Sequence, residues 1–525
     1  MSLITRRSLL ENAAKGGLAL GAGGLIAASS FPAKSSAATT GASTSGTPKT
    51  GGTLHAGLTG GSSSDTCDPN TIVNNTDYCR AANLYEGLVW LTADAQMYYR
   101  LAEEMTPNKD ATVWTIRLRQ GVTFHNGKDL TADDLIFSIN RVVNPKSPGE
   151  AANALHGIIA SRMKKLDNRT ITVPFSAPYS TFPESLANNI TVYIVPVGFD
   201  PKKPIGTGPF KLQSFTPGQQ TILARNANYW NAPLPYLDQV IMTDFADETS
   251  QVNALLSGSV DVVNLLSQST IGSVTGEGKK VVISDGGGWN PFTMRVDQAP
   301  FTDVRVRQAF RLAVDREAML KTVFGGHGTI GNDIFAIWSP DYDHSIPQRQ
   351  YDPEQAKSLL KAAGHEKLSI TLVTGDIAQG VINMAEVYAQ QASAAGISAK
   401  LSEVTVTDFY GPNYLKWVFA QDYWYYAPYF PQVNQATLPA SPFNECHFDN
   451  PKYNSLYTQG LATLNVNLRT EIAHEMQMID YNEGGYIIPF FPAVIDGYLP
   501  NVNGIVESKT GSSFNNWDLE HIWKS

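Results

Sequence analysis

The residue types that most often carry chemistry are all present in this chain, but few stand at spacings that would let them act together. His474-Glu475 opens like a zinc-protease helix, yet Met478 stands where the second histidine ligand belongs. Gly326-His327-Gly328-Thr329-Ile330-Gly331 matches a dinucleotide fingerprint. It follows the apparent end of a helix (Met319 to Phe324), however, where the fingerprint needs a strand. Gly278-Lys279-Lys280 lacks the glycine spacing and the Ser/Thr of a phosphate loop, and no Gly-x-Ser-x-Gly elbow occurs. The 9 histidines are scattered and there is no Cys-x-x-Cys, so no metal site is supported. Among 48 acids no local pattern marks out a pair for glycoside hydrolysis. We therefore expect no catalytic residue, no metal and no cofactor.

The positive signal is aromatic. Tyr423-Trp424-Tyr425-Tyr426-Ala427-Pro428-Tyr429-Phe430 holds 6 aromatic residues in 8 positions, with Phe409, Tyr410, Tyr414, Trp417 and Phe419 just upstream. A strand buried on both faces uses Val and Ile; Tyr and Trp instead give flat apolar faces with polar tips, which suits a wall touching a partly polar ligand. The plainer alternative is a core strand followed by an aromatic-packed loop. Gly286-Gly287-Gly288-Trp289-Asn290-Pro291 is the second candidate. Three glycines allow the backbone to approach a ligand closely or to hinge; the alternative is an ordinary loop between lobes.

Positioning such walls takes a scaffold, and its elements alternate between the two periodicities. Val113 to Leu118 alternates like a strand. Thr131 is a natural N-cap with Asp134 three residues on, opening a helix whose stripe is Leu135, Ile136, Ile139 and Val142, stopped by Pro145. A second helix begins at Thr302 or Asp303, with Val306, Ala309, Phe310, Ala313 and Val314 on one side and Arg305, Arg307, Arg311 and Arg316 facing other directions. In a third, Asp352 caps, Pro353 leads, Ala356, Leu359, Leu360 and Ala363 form the stripe, and Gly364 supplies the left-handed stop. Leu368 to Val373 alternates again as a strand. Such mixing indicates an α/β protein with more than one lobe.

Composition narrows the class. A chain of 525 residues has a prior of two to four domains. With 39 Lys+Arg against 48 Asp+Glu and no long basic run, it is a poor partner for nucleic acid or an anionic membrane. Its 3 cysteines exclude a disulfide scaffold; Cys67 and Cys79 could pair in an oxidising compartment or stay as idle thiols. Arg6-Arg7-Ser8-Leu9-Leu10, the apolar run Gly16 to Ala28 and Ser36-Ala37-Ala38 predict a twin-arginine-type signal peptide over 1–38. The first cysteine, Cys67, lies too far on to carry a lipid, so the mature form is expected to be exported to a bacterial periplasm without a lipid anchor. Thr39 to Thr53 reads as a flexible leader.

Several segments, in order, resemble one family. Trp114-Thr115-Ile116-Arg117-Leu118-Arg119-Gln120-Gly121-Val122-Thr123-Phe124-His125-Asn126-Gly127 continues into Leu130-Thr131-Ala132-Asp133-Asp134. Gly206-Thr207-Gly208-Pro209-Phe210-Lys211 leads to Arg225-Asn226-Ala227-Asn228-Tyr229-Trp230, and Ala254-Leu255-Leu256-Ser257-Gly258 to Val260-Asp261-Val262-Val263. Phe301 to Ala309, Ala313 to Glu317 and Tyr351 to Ala356 complete the set. Together they resemble the family 5 extracellular solute-binding proteins, the peptide/nickel/opine-type receptors of ATP-binding-cassette (ABC) importers.

The resemblance implies a type II periplasmic-binding-protein fold, an α/β architecture of two lobes with an extra subdomain in lobe one. Lobe one should gather 50–95, 200–298 and 489–525, the insert 96–199 and lobe two 299–488. It implies a monomeric receptor that closes on a peptide or peptide-like solute and delivers it to a separate ABC permease and ATPase. The hallmark around Trp114 is expected to be structural. Peptide-binding relatives often carry a Trp-Gly-x-Asp-Tyr-Pro-Asp-Pro-like stretch whose first Asp pairs with the peptide ammonium. Aligning Trp424 and Pro431 puts Ala427 at that Asp, with Asp422 five residues earlier. An ammonium buried without a carboxylate would cost several kcal/mol, about that order. An opine-type sugar–amino acid conjugate or an oligosaccharide is thus an alternative ligand, and an exported hydrolase the alternative of another class. The expected ligand contacts are Trp289 and Asn290 on one side and Asp422, Trp424, Tyr425, Tyr426 and Ala427 on the other.

Overall fold

The computed structural model describes residues 46–187 and 191–525; the expected signal peptide and the start of the leader lie outside them. The end of the expected leader is already docked, with Gly51 N donating to Tyr236 O and the first strand opening at Thr53.

Two mixed sheets organise the chain. The first has seven strands in the order Lys280–Ser284, Val494–Tyr498, Val262–Val263, Thr53–Thr59, Gln239–Phe245, Gln220–Arg225 and Phe210–Thr216. Thr53–Thr59 runs parallel to both neighbours and buries Leu54, Ala56 and Leu58, so alternation sets one face on the core. The second has five strands in the order Ile397–Glu403, Leu368–Thr374, Phe419–Gln421, Phe292–Met294 and Tyr486–Ile487. Helices Val304–Leu312, Arg316–Phe324, Pro353–Ala362 and Val381–Ser393 contribute to its core with Phe310, Met319, Leu360 and Tyr388. A four-stranded antiparallel sheet, with Val113–Leu118 and Thr170–Pro174 at its centre, lies wholly inside 96–199.

The chain passes between the seven-stranded and the five-stranded sheet twice, between Ser284 and Phe292 and between Ile487 and Val494. The first crossing falls ahead of the expected lobe boundary at 298. Phe292–Met294 already pairs with Phe419–Gln421 in the second sheet. The segment 96–199 also touches helices Pro451–Ala462 and Val466–Glu483. Ser180 N donates to Leu461 O at 2.8 Å, and Arg469 forms an ion pair with Glu184 at 2.5 Å.

The three read helices form with their predicted punctuation. Asp134 closes the capping box on Thr131 N at 3.0 Å, Asp303 accepts from Arg305 N, and Asp352 accepts from Gln355 N. Gly364 stands at φ +83° as the stop. Of the four arginines read with the second helix, Arg316 opens the next helix, and Arg307, Arg311 and Arg316 are buried. Arg311 donates to the carbonyls of Asp480, Tyr481, Gly484 and Tyr486, and Arg316 and Arg349 both grip Asp333. Arg307, Arg311 and Arg349 clamp the C-terminal end of helix Val466–Glu483 through the carbonyls of Asp480, Tyr481 and Glu483, where helix carbonyls lack internal partners. All 3 cysteines are buried free thiols, so Cys67 and Cys79 are not paired. No described helix is long and apolar enough to cross a membrane.

Candidate functional site

The family-like hallmark is built into the framework. Trp114 is buried edge-on against Phe182, and its Nε1 donates to Tyr179 O at 3.0 Å. Asp134 accepts from Lys128 Nζ, Thr131 N, Thr131 Oγ1 and Val197 N, all within 3.0 Å. Burial alone would raise its pKa, but these donors outweigh burial and hold it low. His125 knits the hallmark to the next motif. Its Nε2 meets Gly208 O at 3.1 Å and its Nδ1 accepts from Gly206 N at 3.2 Å. Burial pushes this imidazole down to about 4, so it stays neutral as that pattern requires.

The first crossing is a different environment. A Cβ on Gly286 would lie 2.6 Å from Gly511 Cα, and one on Gly287 would lie 2.5 Å from Tyr426 Cδ2. Close approach, rather than an open turn, is what these glycines supply. The crossing then pairs with the aromatic segment. Trp289 N donates to Trp424 O at 3.0 Å, Trp424 N donates to Trp289 O at 2.9 Å, and Asp422 N donates to Pro291 O. The crossing and the aromatic segment thus form one ribbon that prolongs the Phe292–Met294 and Phe419–Gln421 pair.

Three consecutive aromatic residues leave that ribbon for three different cores. Trp424 stacks on Trp289 at 5.6 Å and 9°. Trp289, 1% exposed, also stacks on Phe335 and meets the edge of Tyr486, all in the second lobe. Tyr425 meets Tyr78 edge-on at 5.7 Å and joins the first lobe's core. Tyr426 is buried in the core of the inserted subdomain. Successive side chains of an extended segment point to opposite sides, which is how Tyr425 reaches a different body from its neighbours. Trp338 spans the same place, packing against both the insert and the second lobe.

Of the other expected contacts, Ala427 is buried just before helix Tyr429–Ala436. Asn290 is 7% exposed and turns Nδ2 toward Gln379 O at 3.5 Å, near the start of helix Val381–Ser393. Asp422 is 3% exposed and sits behind a screen of tyrosines. Its carboxylate accepts from Tyr410 Oη at 2.9 Å, Tyr414 Oη at 3.1 Å and Tyr423 N at 2.8 Å.

A second acid, Glu445, shares this enclosure and hydrogen-bonds both Asp422 and Tyr486. Burial raises both carboxyls, and the Asp422 charge raises Glu445 further, so Glu445 holds the proton between them. Sequence reasoning missed Glu445, which stands in Asn444-Glu445-Cys446 with no periodic or motif signal. It also missed Phe335, Trp338 and Tyr486; Tyr410 and Tyr414 were visible in the aromatic stretch but had no assigned partner.

The polar atoms at the ribbon are unevenly satisfied. Trp289 Nε1, Trp424 Nε1 and Tyr426 Oη are buried without a hydrogen-bond partner. Leaving one such group unpaired costs about 1–3 kcal/mol. Trp90 and Trp517 also carry unpartnered indoles, but both sit in the first lobe's core, away from the ribbon. Among the described residues one cluster, Asp518, Glu520 and His521, brings potential metal ligands together. Arg100 already holds Glu520 at 2.9 Å. Burial would lower His521, but the charges of Asp518 and Glu520 outweigh it and push the imidazole up to about 9, the signature of an ion pair.

The chain resembles known proteins along most of its length. It is 26% identical over 490 residues to the glutathione-binding protein GsiB of Salmonella typhi, covering 88% of this chain and 93% of that one. The corresponding protein of Escherichia coli K12 is 25% identical over 488 residues, covering 88% and 93%. Among solved structures, the periplasmic binding protein DppA of Helicobacter pylori, in complex with the peptide STSA, superposes with a TM-score of 0.77 at 21% identity, covering 91% of this chain and 98% of that one. The oligopeptide-binding protein AppA of Bacillus subtilis, holding a nonapeptide, superposes at 0.75 with 21% identity, covering 91% and 100%. These likenesses carry the type II periplasmic-binding-protein fold. The family model for the middle region of the bacterial extracellular solute-binding proteins, family 5, matches residues 96–444, and the chain belongs to that family.

Proposed function

We propose that this chain captures a short peptide or peptide-like solute between its two lobes and hands it to the permease and ATPase of an ABC importer. One observation carries the reading. At the crossing between sheets, a single segment commits Trp424 to the second lobe, Tyr425 to the first and Tyr426 to the insert. A solute seated there touches every body that closure brings together. Rotation about the crossings 285–291 and 488–493 opens and closes the cleft. Closure follows only if the solute binds the closed form more tightly than the open one. The relatives named for glutathione and for peptides support the class of solute. Export to the periplasm as a monomer, with the signal peptide removed, completes the proposal.

Ala427, standing where the resemblance expects a carboxylate, favours a second ligand class, an opine-type sugar–amino acid conjugate. Native mass spectrometry of the protein purified from rich medium tests both readings. A co-purified peptide supports the first and a conjugate the second. A ligand released in chemically converted form overturns the receptor reading. Titration of tryptophan fluorescence with glutathione, dipeptides, opines and oligosaccharides is the companion measurement, and silence across the set overturns it too.

A further inference from the structure

Glu150 opens the short helix Glu150–Leu155, and its backbone is fixed on two sides. Its N–H donates to Asn70 O at 3.0 Å, in the loop ahead of helix Asn75–Leu84. A Cβ on the preceding Gly149 would lie 3.1 Å from Asn70 Cγ, so the two loops are in close contact. On the other side, Asn153 O accepts from Asn434 Nδ2 at 3.3 Å, in the helix Tyr429–Ala436 that continues the ribbon. Buried Ala151 and Leu155 anchor the turn, while the Glu150 side chain stays exposed. Among the described residues its carboxylate has no ion pair and no hydrogen bond. Partial desolvation raises its pKa, and no cation of the chain pulls it back.

Its neighbours are tyrosines of that helix and of the ribbon. Tyr78 meets Tyr425 edge-on at 5.7 Å, and Tyr425 meets Tyr423 edge-on at 5.8 Å. The Tyr78 hydroxyl is their common point. Beyond burial, it is raised by Tyr425, then by Tyr423, Glu150 and Asp77. None of the three hydroxyls bonds to another described residue, and none is sealed inside the protein as the Tyr426 hydroxyl is. Tyrosine faces attract cations, and several together form the cages that hold ammonium groups. The other acids here are committed. Arg80 holds Asp77 at 2.5 Å and Thr66 N donates to it at 3.1 Å, while Asp422 takes two tyrosine hydroxyls and a backbone N–H. Ala427 adds no charge to the ribbon.

We propose that Glu150 receives the α-ammonium of the solute, with Tyr78, Tyr423 and Tyr425 around it. The proposal rests on the peptide reading above and deepens it: the acid that the ribbon lacks at Ala427 comes instead from the segment 96–199. An ammonium leaving water needs a carboxylate with further acceptors or π-faces beside it, and this cluster offers each of them.

The test uses the mature full-length protein and titration calorimetry with glutathione, trialanine and the N-acetyl form of each. In the parent, acetylation should weaken binding by about tenfold or more. Glu150→Gln keeps the shape and the backbone N–H and removes the charge. It should weaken each free peptide that the parent binds by about tenfold, and leave the acetylated forms within about threefold of their parent values, with the thermal midpoint unchanged. Glu150→Asp, which keeps the charge on a shorter stem, should recover part of the loss. Free peptides that bind Glu150→Gln as they bind the parent would overturn the inference and leave the peptide reading standing. An acetylation penalty that survives in Glu150→Gln would do the same, because another group would then hold the ammonium. Failure of both free peptides to bind the parent would overturn the peptide reading, and the inference with it.

Discussion

The hallmark segment around Trp114 and the ribbon around Trp424 are both rich in aromatic and acidic residues, yet they finish their hydrogen bonding differently. In the hallmark, Trp114 Nε1 has a carbonyl, His125 uses both ring nitrogens, and Asp134 has four donors. In the ribbon, two indoles and a phenol are left over, and the acid is raised rather than lowered. A region whose polar groups are all matched from within has nothing left for a partner; its worth is stability. A region that buries donors without acceptors gives up stability to keep a binding capacity.

The largest break in that comparison comes from the hallmark. Trp114→Ala removes a buried ring packed on Phe182 and strands Tyr179 O, and should cost about 3–5 kcal/mol of unfolding free energy in denaturant titration. Solute affinity of the fraction that remains folded should not change. Asp134→Ala loses the capping box and the bond to Val197 N, and should cost about 1–3 kcal/mol, again without an effect on affinity. Trp424→Ala should invert the pattern, with an affinity loss of about tenfold or more beside a smaller stability change, because its ring is only half-buried.

The two regions should also answer pH with opposite sign. Asp134 has a folded pKa below its unfolded value of about 3.9. Its contribution is present above that value and lost as pH falls through the folded one. Glu445 is raised well above its unfolded value of about 4.3. Its contribution is full below that value and is lost as pH rises toward the folded one. Unfolding free energies of Asp134→Asn and Glu445→Gln, each set against the parent across the acid range, should therefore diverge in opposite directions. The effect is the smallest of the set. Parallel curves would remove the distinction between a satisfied and a strained acid.

The scaffold was readable wherever local rules decide. Thr131 with Asp134, Asp352 with Pro353, and Gly364 mark helix ends by short-range chemistry, and the structure keeps each one. The buried arginines were not readable. Helical spacing assigns Arg307 and Arg311 a direction, but not the carbonyls of residues 480–486, some 170 positions away, that wait there. The aromatic run announced itself by composition, whereas its division among three cores depends on long-range packing. Asp422 and Glu445 are 23 residues apart and meet through long-range packing, in which Tyr486 on the edge strand of the second sheet donates to Glu445.

The central claim is that solute is held at the ribbon and not at the hallmark. Hydrogen–deuterium exchange of the full mature chain, with and without saturating glutathione or the solute identified by native mass spectrometry, addresses it directly. The account predicts new protection in peptides covering 285–293 and 422–430, with 114–134 unchanged. Protection confined to 114–134, or binding that leaves both ribbon segments exchanging as before, would contradict it.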